Sequence, residues 1–121
     1  MKIIEAINRI DSLKHNTYSE SDKVAWLHEL DSMVKLEIID THEGEVTFTG
    51  YDDNTDPQTE LIIPAPYDKV YLLWLEAQID YYNGEYDKYN NALEMFYEAF
   101  DGFKNYHNRT NMPKGKKFKF F

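Results

Sequence analysis

A chain of 121 residues is long enough for one domain with a substantial core and too short for two. Its residues are 42% hydrophobic and 16% aromatic, which excludes a disordered polypeptide, and a net charge of -9 argues against general binding to phosphate backbones. With no cysteine, disulfides, thiolate metal sites and cysteine nucleophiles are excluded as well.

The first segment, about 2–14, sets Ile3, Ile4, Ile7, Ile10 and Leu13 at three- and four-residue intervals, the pattern of an amphipathic helix. Charges recur every few residues in MKIIEAINRIDSLK, so no signal peptide is expected there, and no run of apolar residues is long enough to predict a membrane span. His15-Asn16-Thr17-Tyr18 reads as a connector. Ser19 with Asp22 three residues on has the form of a capping box and opens a second helix over 20–41, with Trp26, Leu27, Leu30, Met33, Val34 and Ile38 as its apolar stripe.

Residues 43–63 change character. Gly44, Gly50 and the run Asp52-Asp53-Asn54-Thr55-Asp56-Pro57 are loop chemistry, flanked by the β-prone stretches 46–49 and 61–63. These predict a small β-hairpin arm, with Val46, Phe48, Tyr51, Leu61 and Ile62 as a possible contact between subunits. Pro64-Ala65-Pro66 then introduces a third helix over 66–83, with Asp68 in its first turn and a stripe of Tyr67, Val70, Tyr71, Trp74, Ala77 and Gln78 that Leu73 widens. Asn83-Gly84 ends it in the manner of a C-cap. A fourth helix follows over 85–104, carrying Tyr89, Leu93, Phe96, Tyr97, Phe100 and Phe103, and so short a turn predicts an antiparallel hairpin of helices three and four. The fold class is mainly α: about four helices, a β-arm and a tail, divided as a helical domain over 1–107 and an extended tail over 108–121.

Candidate chemistry is sparse. Asp52, Asn54 and Asp56 alternate as in an EF-hand loop, but Pro57 stands where the turn glycine belongs and Ile63 where the bidentate glutamate belongs. His28 and His42 lack metal-ligand spacing, and His15 and His107 stand alone in connector contexts. No serine sits in a nucleophile elbow, and five scattered glycines form no phosphate loop. A non-enzymatic protein with no cofactor and no metal is expected.

Charge, by contrast, is sharply divided. Residues 1–103 hold 7 Lys/Arg against all 22 Asp/Glu, a net of -15, whereas 104–121 hold 6 Lys/Arg and no acid. Such an end-loaded asymmetry marks an interaction tail. Met112, Pro113 and Lys114 break any helix, and Lys116, Lys117, Phe118, Lys119, Phe120 and Phe121 interleave charge with aromatic surface. In an extended strand Phe118 and Phe120 share one face, a form suited to adding to a partner's sheet edge, against which stand three plainer readings: phenylalanines folded back on the chain's own helices, lysines paired with the acidic body, or a frayed end.

Three stretches, DTHEGEVTFTGYDDNTD (40–56), IPAPYDKVYLLWLEAQIDYYNGEYDKYNNALEMF (63–96) and NRTNMPKG (108–115), resemble small proteins encoded among the structural genes of phages and prophages of Gram-positive bacteria, a group placed here with the head–tail connector (adaptor, head-completion) proteins of long-tailed phages. The resemblance implies a structural protein of the virion neck, made in the bacterial host cytoplasm. It would assemble as a ring against the portal protein and neck or tail components, with no specific nucleic-acid binding. It supplies no catalytic or cofactor residue, and the partner-binding assignment of 112–121 is read from the tail's own chemistry. An acidic wall facing the ring's lumen would let DNA slide without sticking. Two other classes compete: an acidic, DNA-mimicking inhibitor of a host DNA-handling enzyme, and a helical module holding single-stranded nucleic acid through the Lys/Phe tail.

Overall fold

The computed structural model describes residues 1–39 and 48–110, and these are mainly helical. Helix α1 spans Ile3–Leu13 and buries Ile3, Ile7 and Ile10 of the expected stripe together with Ala6, while Ile4 is half-buried. Leu13, predicted on the same face, is instead exposed. The Lys2 N–H, one of the orphan donors at a helix start, is taken by the Glu5 carboxylate at 2.8 Å. Helix α2 spans Glu20–Val34 and is capped by Ser19, whose hydroxyl accepts the Asp22 N–H at 3.1 Å. It runs on through one π-helical turn, Lys35–Ile39, that buries Ile38 and Ile39.

A 3-10 turn at Tyr67–Lys69 leads into α3, Val70–Tyr82, and α4 spans Tyr86–Thr110. The fourth helix is therefore longer than expected and takes in residues 105–110, three of which had been assigned to the tail. Its extra turns have a tertiary cause, since Tyr106 and Phe103 both pack on the Tyr67 ring, at centroid distances of 5.0 and 5.9 Å. Residues 111–121, and with them Met112, Pro113, Lys114, Lys116, Lys117, Phe118, Lys119, Phe120 and Phe121, lie outside the described residues.

Helix α3 is the centre of the molecule and touches α1, α2 and α4. That explains why its apolar residues spread around the barrel of the helix rather than along one stripe: Val70, Tyr71, Leu75, Ala77 and Ile79 are all buried. Against α4 it packs antiparallel, as expected from the short turn. The ring contacts Tyr67–Phe103, Trp74–Phe96 and Tyr81–Tyr89 advance seven residues on one side for each seven retraced on the other, the spacing of a left-handed helical seam.

The predicted β-hairpin is not seen. Among the described residues there is no strand, and the single β-bridge pairs Glu60 with Lys2. The backbone of 57–61 is held by the start of α1: Ile4 N–H donates to the Pro57 carbonyl, Ile3 N–H to Thr59, and Leu61 N–H to Met1, at 3.0, 3.0 and 2.9 Å. Those bonds, and the burial of Leu61 and Ile63, tie this stretch to the N-terminus and the core, while residues 46 and 47 of the other expected strand lie outside the described residues. An isolated two-stranded ribbon is marginal in water, and residues 61–63 cover the core in an irregular path instead. Tyr51, Leu61 and Ile62, read as an outward arm, thus face their own helices, and Phe48 packs edge-on against Tyr51 at 5.1 Å. Val46 lies outside the described residues.

Candidate interaction surface

The turn between α3 and α4 gathers exposed aromatic surface. Gly84 sits at φ +77, the left-handed conformation that glycine adopts without a Cβ penalty. Around it the Gly84 N–H returns to the Tyr81 carbonyl at 3.0 Å and the Glu85 N–H to the Asp80 carbonyl at 2.9 Å, the paired bonds of a Schellman cap. So sharp a reversal sets Tyr81 and Tyr82, from the last turn of α3, beside Tyr86 and Tyr89 from the first turn of α4. Tyr81 lies 5.1 Å from Tyr82, 6.0 Å from Tyr86 and 5.2 Å from Tyr89. Three of the four stay open to solvent: Tyr81 is 46% exposed, Tyr82 56% and Tyr86 60%.

This surface is held from behind. The Tyr82 ring stacks on Trp26 of α2 at 5.5 Å and 10°, and Tyr18 meets Trp26 edge-on at 5.5 Å. The Tyr18 hydroxyl also donates to the Asn83 side chain at 2.7 Å, tying the α1–α2 connector to the turn. Beneath it the buried Asp80 carboxylate pairs with the Lys14 ammonium at 2.8 Å. Contact with Asp80 pushes the Lys14 pKa up in spite of partial burial. Neither Asp80 oxygen receives a hydrogen bond of good geometry, so the lysine is what offsets the buried charge. Glu85 and Asp87 stand exposed beside the tyrosines, with Lys88 near Glu85 at 3.4 Å.

A second polar cluster is internal. Asp31, on the core face of α2, accepts from Tyr71 at 2.7 Å, from Tyr51 at 2.5 Å and from the Ile62 N–H at 3.1 Å. Burial pushes its carboxyl above the ordinary range, and those three hydrogen bonds offset that only in part. The same burial and the neighbouring carboxylate push both phenols up. No solvent reaches Asp31, so the cluster clamps segments together and presents nothing to a ligand.

The acidic loop and His28 have partners within the chain, and His42 lies outside the described residues. Asp52 accepts from the Asn54 N–H and Asp56 from the Gln58 N–H, each closing a turn within the loop. Among the described residues no group of three His, Asp or Glu is placed to hold a metal ion. His28 accepts the Tyr51 N–H at 3.0 Å and stacks on Phe48. No helix among the described residues is long and apolar enough to cross a membrane.

Sequence reasoning missed the tyrosine surface, although its signal was present: Tyr81-Tyr82 and Tyr86 flank the predicted Asn83-Gly84 cap. Asp31 was also readable, since with Leu27, Leu30 and Val34 it falls on one helical face. Comparison with known proteins adds no relative: no family model, curated protein or solved structure matches the chain.

Proposed function

We propose that this chain is a non-enzymatic assembly protein of the phage neck, a head–tail connector that joins the portal to neck or tail components as part of a ring. The observation that carries the reading is the exposed aromatic surface at the α3–α4 turn. Tyr81, Tyr82 and Tyr86 present large, nearly rigid rings, a residue type enriched in protein interfaces, with Glu85 and Asp87 at their edge. The basic, aromatic residues 112–121 add a second adhesive element of opposite charge. The resemblance of 40–56, 63–96 and 108–115 to phage structural proteins supplies the particular assembly.

Particles purified from a host carrying the gene test the proposal. Mass spectrometry should find about one copy per portal subunit, as expected for a ring matched to the portal's symmetry. Absence from finished particles, with tight binding to a DNA-handling enzyme of the host, would transfer the reading to a DNA-mimicking inhibitor.

A further inference from the structure

We propose that the tyrosine surface of one copy receives residues 116–121 of a second copy, so that the chain joins to itself head to tail. The inference stands apart from the neck assignment, because such a joint would serve any assembly.

Chemistry matches first. The surface offers the faces of Tyr81, Tyr82 and Tyr86 with Glu85 and Asp87 at the edge. Residues 116–121 are three lysines and three phenylalanines, with no acid. Phenylalanines pack edge-to-face on tyrosines, and lysine ammoniums settle over ring faces or against the two carboxylates. A second lysine-bearing surface would be repelled; an acidic, aromatic one is the complement.

Reach then decides between the chain's own tail and a neighbour's. Tyr86 and Thr110 are 24 residues apart on one helix, about 36 Å at the α-helical rise. Phe118 lies eight residues past Thr110, where the backbone spans at most about 29 Å, so its ring meets its own Tyr86 only with the chain drawn nearly straight. Phe121, eleven residues past, has at most about 40 Å and arrives only with the chain drawn straight, which sacrifices nearly all its conformational freedom. A second copy faces no such limit. Closer to the tail's origin, the groove of Lys69, Leu73, Met95, Glu98 and Ala99 lies within reach of the same chain, but it offers no aromatic ring.

The tyrosine surface and Thr110, from which the tail departs, lie towards opposite ends of α4, and surface and tail are different from one another. The contact is therefore heterologous: each copy has one socket and one plug, and successive joints close into a ring or continue as a filament.

Sedimentation velocity of the full chain, from micromolar to millimolar, is the test, with two full-length variants beside the wild type. One removes the socket (Tyr81→Ser with Tyr86→Ser, which leaves Tyr82 on Trp26); the other removes the plug (Phe118→Ser, Phe120→Ser and Phe121→Ser). The wild type should self-associate, and each variant alone should bind itself at least about tenfold more weakly, as loss of central interface aromatics does. Mixed in equal amounts, the two should form a dimer that grows no further, since only one joint can then be made. If the socket variant unfolds by circular dichroism, Glu85→Lys with Asp87→Lys replaces it and should weaken association likewise. A wild type that stays monomeric, a variant that associates like wild type, or a mixture no tighter than its components would overturn the proposal. So would a tail-dependent change in tyrosine fluorescence that is independent of concentration, which would mean that the tail folds back on its own chain.

Discussion

The Tyr71 hydroxyl donates to Oδ1 of Asp31 at 2.7 Å while accepting the Ile63 N–H at the same distance. One phenol thereby joins α2, α3 and the irregular segment that replaces the expected β-arm. Both groups are inaccessible to water, so each bond in this relay is made inside the core, where a missing partner is not replaced by solvent.

Tyr71→Phe should therefore destabilise the fold by about 2–4 kcal/mol, because it strands one carboxylate oxygen and one backbone N–H together. Tyr51→Phe removes only a donor to Oδ2, which keeps the Ile62 N–H, and should cost about 1–2 kcal/mol. Urea unfolding of the three proteins measures both, and equal losses would count against the relay.

Stability should depend on pH in opposite senses at two aspartates. Burial pushes the Asp31 carboxyl above 3.8, so the folded state holds its proton more tightly than the unfolded chain. The stability this site contributes is complete below pH 3.8 and is lost as pH rises through the folded value. At Asp11 burial also pushes upward, but the hydrogen bonds from Lys23 and Asn16 and the Lys23 charge outweigh it and bring the value below 3.8. Its contribution is present above that pH and fades as pH falls through the folded value. Across about pH 3 to 7, wild type should lose stability relative to Asp31→Asn as pH rises, and gain it relative to Asp11→Asn.

Lys14→Met should cost about 3–5 kcal/mol, since it abandons a buried Asp80 with no hydrogen bond to soften its charge. Adding Asp80→Leu should recover most of the loss. Thermal unfolding of the single and double variants decides this, and a double variant no better than Lys14→Met would place the cost elsewhere.

Two glycines at positive φ should respond differently to alanine. At Gly84 a Cβ meets nothing, and only the left-handed conformational penalty of about 1–2 kcal/mol applies. At Gly50 it would stand 2.8 Å from Cε1 of His28, whose Nδ1 accepts the Tyr51 N–H. Gly50→Ala should therefore lower the melting temperature distinctly more than Gly84→Ala.

The helices were legible because their cause is local. Ile3, Ile7 and Ile10, or Leu27, Leu30 and Val34, declare a buried face through spacing alone, and Ser19 announces its cap. What failed to show depends on partners distant in the chain. Residues 61–63 have the composition of a strand, but the N-terminus takes the Leu61 N–H and Asp31 takes that of Ile62. The last turns of α4 look too polar to persist until Tyr67 is placed against Tyr106. The tyrosine surface is a different case: its reversal at Asn83-Gly84 was legible, but which of the nearby rings stay exposed depends on Tyr82 packing against the distant Trp26. Sequence alone had directed attention to the tail, whereas the structure adds a surface at the other end of the hairpin.

The seven-residue register between α3 and α4 also fixes where this chain can change length over evolution. Deleting one residue between Trp74 and Tyr81, or between Tyr89 and Phe96, would swing every ring beyond it about 100° around its helix and out of the seam. An inserted residue at Asn83-Gly84 would lengthen only the reversal and leave both helices in phase. Gene duplicates and distant descendants should accordingly vary in the span between Tyr82 and Tyr86 while the helices on either side keep a constant length.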